Sequence, residues 1–179
     1  MNTERMEEIC REVLAFQMPR YDELPRINLY LDQVIDEVVY ILSPLFGSNE
    51  SKWITHTMVG NYVKQGLLPR PLGKKYGKEH IAYLLYISIA KQVLSMDEIR
   101  RLVQIQRQSY PIETAYDYLC IEFENALRDI FRRESLCPPT YQTQDLEANV
   151  FRSTVLGVAF AIYTRKMLEV YQIPEPVSP

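Results

Sequence analysis

The chain has 179 residues, of which 47% are hydrophobic and 24% are charged, a composition typical of a globular protein and far from disorder. Its three cysteines, at positions 10, 120 and 137, are odd in number and form no Cys-x-x-Cys pair, which argues against a disulfide framework and a structural zinc site. The most apolar run, residues 153–163, is too short to span a bilayer, and the N-terminus is too charged for a signal peptide. We therefore expect a cytoplasmic protein in a reducing compartment.

The charge is distributed unevenly along the chain. Residues 51–107 contain ten basic and three acidic side chains, a net charge of +7, so the rest of the chain carries −10 of the total of −3. A basic segment in an acidic chain is the electrostatic footprint of a protein that binds a polyanion. A solvated helix face would give a similar count, but Lys74, Lys75 and Lys78 cluster in one short stretch, which favours nucleic acid.

Two helices are predicted before the basic segment. Residues 3–16 form an amphipathic pattern with Ile9, Val13 and Leu14 facing inward, and a loop follows at residues 18–25. Asn28 is predicted to cap a second helix that runs to about Leu45 and ends before a glycine. Its apolar residues recur at helical spacing: Leu31, Val34, Ile35, Val38 and Leu42.

The basic segment begins with a short predicted helix at residues 56–65. Thr55 can accept a hydrogen bond from a free amide of the first turn, as an N-cap does. Ile54 and Val59 have the spacing of a hydrophobic staple around this cap. Gly66 ends the helix, since glycine is favoured just past a helix C-terminus.

A buried Leu-Leu pair and a basic turn follow this helix. Leu67 and Leu68 return to the core, and the prolines at 69 and 71 prevent any continued helix. Residues 72–76 are basic and centred on Gly73, so the chain can turn sharply there. The order of a short helix, a buried pair, a basic turn and another helix is that of a winged helix-turn-helix.

Two more helices complete the middle of the chain. Residues 79–94 are apolar on nearly every side, which predicts a buried central helix. Ser95 and Glu98 form a capping box that opens a helix to about Gln108. Residues on its inner face are Ile99, Leu102 and Val103, whereas Arg100 and Arg101 face outward.

Two long helices are predicted at the C-terminal end. Pro111 starts one that runs to about Arg133, and its apolar stripe contains Ala115, Tyr118, Leu119, Phe123, Leu127 and Ile130. The last helix, about Asp145 to Tyr171, has one stripe made of Val155, Val158 and Ile162, and a second made of Leu156, Phe160, Tyr163 and Met167. The second stripe predicts a homodimer, unless the N-terminal helix folds back and covers it.

Several pieces of the basic segment resemble MerR-like regulators. Residues 57–69 are similar to that family's recognition helix, which has a threonine, an aromatic pair, a charged pair, Gly-Leu-Leu and a proline. Tyr62 corresponds to the second aromatic, Asn61 replaces the first, and Gly60 stands where arginine is usual. The end of the wing and the step into the following helix also match: Lys74, Tyr76, residues 79–84 and residues 94–99.

The whole chain also resembles a bacterial family described only as a domain of unknown function with a MerR-like helix-turn-helix. These resemblances imply an all-α fold, a MerR-like winged helix-turn-helix with a short basic wing plus a C-terminal helical hairpin. The implied organisation is an N-terminal helix and loop at 1–27, the winged helix-turn-helix at 28–108, and a dimerisation or effector region at 109–179.

The resemblance also implies a function and a set of contact residues. We expect a transcription regulator that places helix 56–65 in the major groove of double-stranded DNA and grips the backbone with residues 70–78. The expected DNA-binding residues are Thr57, Asn61, Tyr62, Lys64, Arg70, Lys74, Lys75, Tyr76 and Lys78.

The sequence is also compatible with other functions. The helix-turn-helix could serve as a protein-interaction module without DNA, as the missing arginine at Gly60 suggests. Tyrosines of the C-terminal half could line a pocket for a small-molecule effector, although core positions are more common for them. His56 and His80 are the only histidines, and no nucleophile elbow or phosphate-binding loop is present, so we expect no enzyme, cofactor or metal site.

Overall fold

Seven α-helices account for most of the residues that the computed structural model describes, which are 3–47, 53–132, 135–140 and 146–170. Within those ranges there is no β-strand, only two isolated bridges and a short 3₁₀ turn at Tyr21–Glu23. The predicted all-α class is confirmed. In chain order the helices are α1 Thr3–Leu14, α2 Leu31–Phe46, α3 His56–Lys64, α4 Lys78–Ala90, α5 Met96–Ser109, α6 Ile112–Arg132 and α7 Leu146–Val170.

Helix α4 lies at the centre of the core, as its uniform apolar pattern predicts. Every residue from His80 to Ala90 is buried, and the helix packs against α2, α6 and α7. It ends four residues earlier than predicted, at Ala90, because the amides of Gln92 and Val93 bond three residues back, to the carbonyls of Ile89 and Ala90, instead of four. The Ser95–Glu98 capping box is formed, and the hydrogen bonds from Ser95 lower the pKa of the Glu98 carboxyl.

The predicted cap of α2 is wrong. Helix α2 begins at Leu31, and Tyr30 rather than Asn28 occupies the N-cap position. The reason is a long-range contact, because the Leu29 amide and carbonyl are bonded to the carbonyl and amide of Tyr76 at 2.9 and 2.8 Å. This pairing holds residue 29 extended and delays the start of the helix.

Helix α3 begins and ends as its local sequence predicts. The Thr55 hydroxyl accepts from the Met58 amide at 3.2 Å. At the other end, Gly66 takes the left-handed conformation at φ +73°, and the amide of Leu67 bonds to the Tyr62 carbonyl at 2.9 Å. This is the Schellman arrangement, and it directs Leu67 and Leu68 into the core, where both are buried.

The predicted basic turn is a two-residue hairpin. Leu72 and Lys75 exchange two backbone hydrogen bonds at 3.1 and 3.0 Å. Gly73 and Lys74 both have positive φ, at 56° and 65°, which is the pattern of a type I′ turn. We call residues 70–78 the basic hairpin. Its base is fixed by the pairing of Tyr76 with the segment before α2.

Helices α6 and α7 pair more extensively than any other two helices of the described chain. The predicted inner stripe of α6 is buried throughout. Two buried acidic residues of α6 make hydrogen bonds to the residues that follow. Glu122 accepts from Arg152 Nε at 3.0 Å and from the Thr140 amide at 2.7 Å, and Asp129 accepts from the Cys137 amide at 2.7 Å. The predicted helix ends at Arg133, Asp145 and Tyr171 lie outside the described residues.

Helix α1 folds back against the two long C-terminal helices. It packs against α6, α7 and α2 through Ile9 and Val13, whereas Leu14, predicted to face inward, is 37% exposed because the helix ends there. On α7, Tyr163 and Met167 are partly buried against the core, but Phe160 remains 51% exposed. A fold-back of the N-terminal helix over this stripe is the alternative to the predicted homodimer; α1 does pack on α7, and Phe160 stays exposed. No described helix is long and apolar enough to cross a membrane.

Two glycine substitutions should shift stability in opposite directions. At Gly66 and Gly60 an added Cβ would meet no heavy atom within 4 Å, so only the backbone decides the outcome. Gly66→Ala should lower the free energy of unfolding by about 1 kcal/mol, because alanine is strained at positive φ. Gly60→Ala should raise it by about 0.5–1 kcal/mol, because Gly60 is inside α3. Urea denaturation at fixed protein concentration measures both, and a change of the same sign in both variants would contradict the assigned helix end.

Candidate nucleic-acid interface

The outward face of α3 is polar, and the buried residues on the opposite side of the helix determine which residues face outward. Val59 and Tyr62 are buried and hold the inner side. Thr57, Asn61 and Lys64 are separated by four and three residues, so they share one side of the helix, and all three are exposed. We call these three residues the polar face of α3. Gly60 adds no side chain to it.

The basic hairpin presents three cations next to this helix in the chain. Arg70, Lys74 and Lys75 are exposed. The Lys75 ammonium lies 5.1 Å from the centre of the Tyr30 ring, which orients it. Because the type I′ turn fixes the backbone on both sides of Lys74, these charges are held on a rigid projection instead of a loose loop.

Three of the predicted DNA-binding residues do not lie on this surface. Tyr62 and Tyr76 are only 5% and 7% exposed, and the Tyr76 ring packs edge-on against His80 at 5.2 Å. Lys78 is half-buried and donates to the carbonyls of Tyr21 and Asp22 at 3.1 Å each. These side chains position α3 and the basic hairpin from the inside. The spacing of Tyr62 three residues after Val59 is a signal that places it on the inner face.

Arg107 has a role that its sequence context does not reveal. Its guanidinium donates to the carbonyls of Gly66 and Leu67 at 2.8 Å each, so it fixes the two residues that follow the C-cap of α3. It also lies over the Tyr83 ring and donates to the Tyr83 hydroxyl at 3.2 Å. The Tyr83 hydroxyl donates in turn to Gln106, so α4 and α5 are both tied to the end of α3.

Other cations of the basic segment also have internal partners. The Lys91 ammonium lies 5.8 Å from the Tyr62 ring centre and 3.5 Å from the Met58 sulfur. Arg100 pairs with Asp97 at 2.5 Å and reaches Gln65 at 3.2 Å. Within the described chain, four cations of the segment have no hydrogen bond, ion pair or ring contact: Lys64, Arg70, Lys74 and Arg101.

An acidic side chain of α2 lies beside the first residue of α3. His56 Nε2 lies 2.5 Å from an Asp32 carboxylate oxygen, and both side chains are exposed. A carboxylate at this end repels an anion, so the surface available to a phosphate lies toward Lys64 and the basic hairpin. The other histidine, His80, accepts from the Gly77 amide, and burial lowers its pKa.

Two of the three cysteines lie in different surroundings. Burial raises the pKa of the Cys120 thiol to about 12, so this thiol stays protonated and behaves as a small core residue. Cys137 is exposed, and its amide and thiol both contact Asp129. In the ranges the structure covers, no group of three or more histidine, cysteine, aspartate or glutamate residues could hold a metal ion.

The fold and this surface define a class: an all-helical protein in which a short outward-facing polar helix is followed by a rigid basic hairpin. Residues 19–119 match the family described as a domain of unknown function, DUF1836, and the chain belongs to that family. The match contains α2 to α5, so it includes the polar face of α3 and the basic hairpin, whereas α7 lies beyond it. Comparisons with curated proteins and with solved structures found no match.

Alanine variants of two arginines on α5 should distinguish a cation that is hydrogen-bonded within the fold from one that is not. Arg107→Ala should lower the free energy of unfolding by about 1.5 kcal/mol, the low end for hydrogen bonds of a charged group, because the side chain is exposed. Arg101→Ala, on the same helix and exposed, should stay within about 0.5 kcal/mol of the unmodified protein. Thermal or urea unfolding gives both values, and an equal loss would mean that the bonds to residues 66 and 67 add no stability.

Proposed function

We propose that this protein is a DNA-binding transcription regulator with a MerR-like winged helix-turn-helix, in which α3 enters the major groove and the basic hairpin is the wing. One observation carries the proposal: the exposed polar face of α3 is followed directly by a rigid hairpin whose exposed cations include two without internal partners, Arg70 and Lys74. A helix of this size fits the major groove and can contact base edges. The charged hairpin beside it can contact the phosphate backbone.

Each exposed residue has a chemical role in this proposal. Asn61, in the middle of the polar face, is suited to the two hydrogen bonds that adenine offers in the major groove, with Thr57 one turn earlier on the same side. Lys64, Arg70, Lys74 and Lys75 are suited to phosphate oxygens, which set register and affinity. Tyr62, Tyr76 and Lys78 support these residues from within instead of touching DNA.

A second candidate function is a protein-interaction module that no longer binds DNA. The contact of His56 with Asp32 favours it, because it places a carboxylate at the end of α3 that would approach the duplex. Gly60 favours it as well, since no side chain projects from the position where MerR-like regulators usually have an arginine. Binding of mixed DNA fragments at several salt concentrations separates the two functions, because the interaction module should show no salt-dependent binding at all.

Removal of the wing charges should weaken DNA binding and its salt dependence together. With about three to five phosphate contacts per protomer, log affinity should fall with log salt at a slope of about −3 to −5. The double variant Lys74→Asn and Lys75→Gln should reduce the steepness of that slope by about 2, since each lost contact releases fewer counterions. Asparagine is chosen because position 74 has positive φ, where alanine would strain the turn.

The matched control removes the same charge elsewhere. Arg128→Gln with Arg132→Gln takes two exposed cations from α6, far along the chain from the hairpin. It should leave the slope close to that of the unmodified protein. An unchanged slope in the hairpin variant would reject the wing, and equal losses in both variants would mean that net charge alone controls binding.

We further propose that the regulator is a homodimer joined through α7. Four exposed apolar side chains on this helix are Leu146, Val150, Phe160 and Leu168, at 72%, 36%, 51% and 66% exposure. At about 100° per residue they fall within an arc of about 80°, so they share one side of α7 with the exposed polar residues Ser153 and Thr164. Several exposed apolar side chains on one side of a helix are typical of a contact surface, and a two-fold copy of the same helix would cover them.

Light scattering at micromolar concentration should give a mass near twice the 21.1 kDa of one chain. Phe160→Glu should split the dimer, because it would bury an unpaired charge at the contact. Tyr40→Glu is the matched control: Tyr40 is an aromatic residue on α2 with 79% exposure, and its replacement should leave the dimer intact. A single-chain mass for the unmodified protein would reject the dimer, and a dimer that survives Phe160→Glu would place the contact elsewhere.

A further inference from the structure

Side chains of α5 contact the chain at the point where it leaves α3. Arg100 donates to the side chain of Gln65, the C-cap of α3, at 3.2 Å. Arg107 lies seven residues later, and so on the same side of α5, and it donates to the carbonyls of Gly66 and Leu67 at 2.8 Å each. Three consecutive residues after α3 are therefore bonded to one helix.

These three residues connect the two elements that are proposed to contact DNA, α3 and the basic hairpin. Only residues 68 and 69 separate Leu67 from the basic hairpin. Leu68 is buried, and its amide bonds to a carbonyl of α3 at 3.2 Å, so this connection has little freedom. On its other side the basic hairpin is held by the pairing of Tyr76 with the segment before α2. The bonds from Arg107 therefore help to set the position of the basic hairpin relative to α3.

The Arg107 guanidinium is itself held by a buried side chain of α4. Its Nε donates to the Tyr83 hydroxyl at 3.2 Å, and the guanidinium carbon lies 4.9 Å from the centre of the Tyr83 ring. The Tyr83 hydroxyl donates to Gln106 at 2.9 Å, and Gln106 donates to the Tyr110 carbonyl at 2.9 Å. Because Tyr83 is only 3% exposed, it cannot reach a molecule outside the core. Any effect of its hydroxyl on the protein surface must pass through the side chains that it contacts.

We propose that Arg107 is a positioning residue for DNA recognition, which holds α3 and the basic hairpin in one arrangement without touching the duplex. This role rests on the proposed function and adds to it a residue that acts only through others. Two elements that contact one duplex must be presented together, and a protein that holds the required arrangement for a fraction of the time binds in proportion to that fraction. Three of the five N–H groups of the guanidinium are bonded within the protein, at Nε and at each terminal nitrogen, as expected for an internal contact.

Arg107→Ala distinguishes positioning from a phosphate contact. Affinity for a selected DNA site should fall by at least about three-fold, because the binding arrangement is less populated. The slope of log affinity against log salt should stay the same, because a residue that touches no phosphate releases no counterion. A slope less steep by about 0.9 would mean a phosphate contact and overturn the positioning role, and an unchanged affinity would also overturn it. Circular dichroism and urea unfolding confirm that the variant is folded under the conditions of the binding assay.

A pair of tyrosine variants removes a hydroxyl without removing any charge. Tyr83→Phe deletes the group that holds Arg107 Nε, and it should weaken DNA binding by about two-fold or more with the same salt slope. Tyr86→Phe is the matched control, because Tyr86 is on the same helix, is 5% exposed, and its hydroxyl has no hydrogen-bond partner among the described residues. The control should leave the affinity unchanged, and equal losses in the two variants would overturn the path through Arg107. The double variant Tyr83→Phe with Arg107→Ala should bind no more weakly than Arg107→Ala alone, and additive losses would also overturn that path.

A distance measurement tests the same role without DNA. Nitroxide labels on Asn61→Cys of α3 and Leu72→Cys of the basic hairpin report the separation of the two elements by pulsed electron paramagnetic resonance, and both positions are exposed. The two native cysteines that are not buried are first replaced by serine. The distance distribution should broaden in Arg107→Ala and keep its width in Arg101→Ala, which removes a cation of the same helix that does not contact the end of α3.

The outcomes separate the two proposals. A distribution that is unchanged in Arg107→Ala would overturn the positioning role. If the unmodified protein binds no DNA at any salt concentration, the proposed function fails, and the distance measurement alone decides whether Arg107 holds the two elements together. If the unmodified protein binds DNA and Arg107→Ala binds it equally well, only the positioning role fails.

Discussion

The structure depends on the complete burial of α4. A helix that is apolar on every side has no face for water, so other helices must cover it from all directions. Helix α2 covers it on one side and α6 and α7 on another. Because α3 packs on α2 and is linked to α4 through Lys91 and Met58, the polar face of α3 takes its position from this core instead of from a flexible linker.

The parts that local chemistry controls could be predicted from the sequence. The Thr55 cap, the glycine end at Gly66, the turn at Gly73 and the Ser95 capping box each involve residues within five positions of one another. Such signals do not depend on what the rest of the chain does. They place a short polar helix next to a basic turn, and the outward positions of Thr57, Asn61 and Lys64 follow from helical spacing alone.

The errors come from contacts between distant residues. Asn28 loses its predicted capping role because Leu29 pairs with Tyr76, nearly fifty positions away. Arg107 looks like one more surface cation until the carbonyls of Gly66 and Leu67, about forty residues earlier, are seen beside it. The charge count for residues 51–107 therefore overstates the surface charge, since several of its cations are used inside the fold.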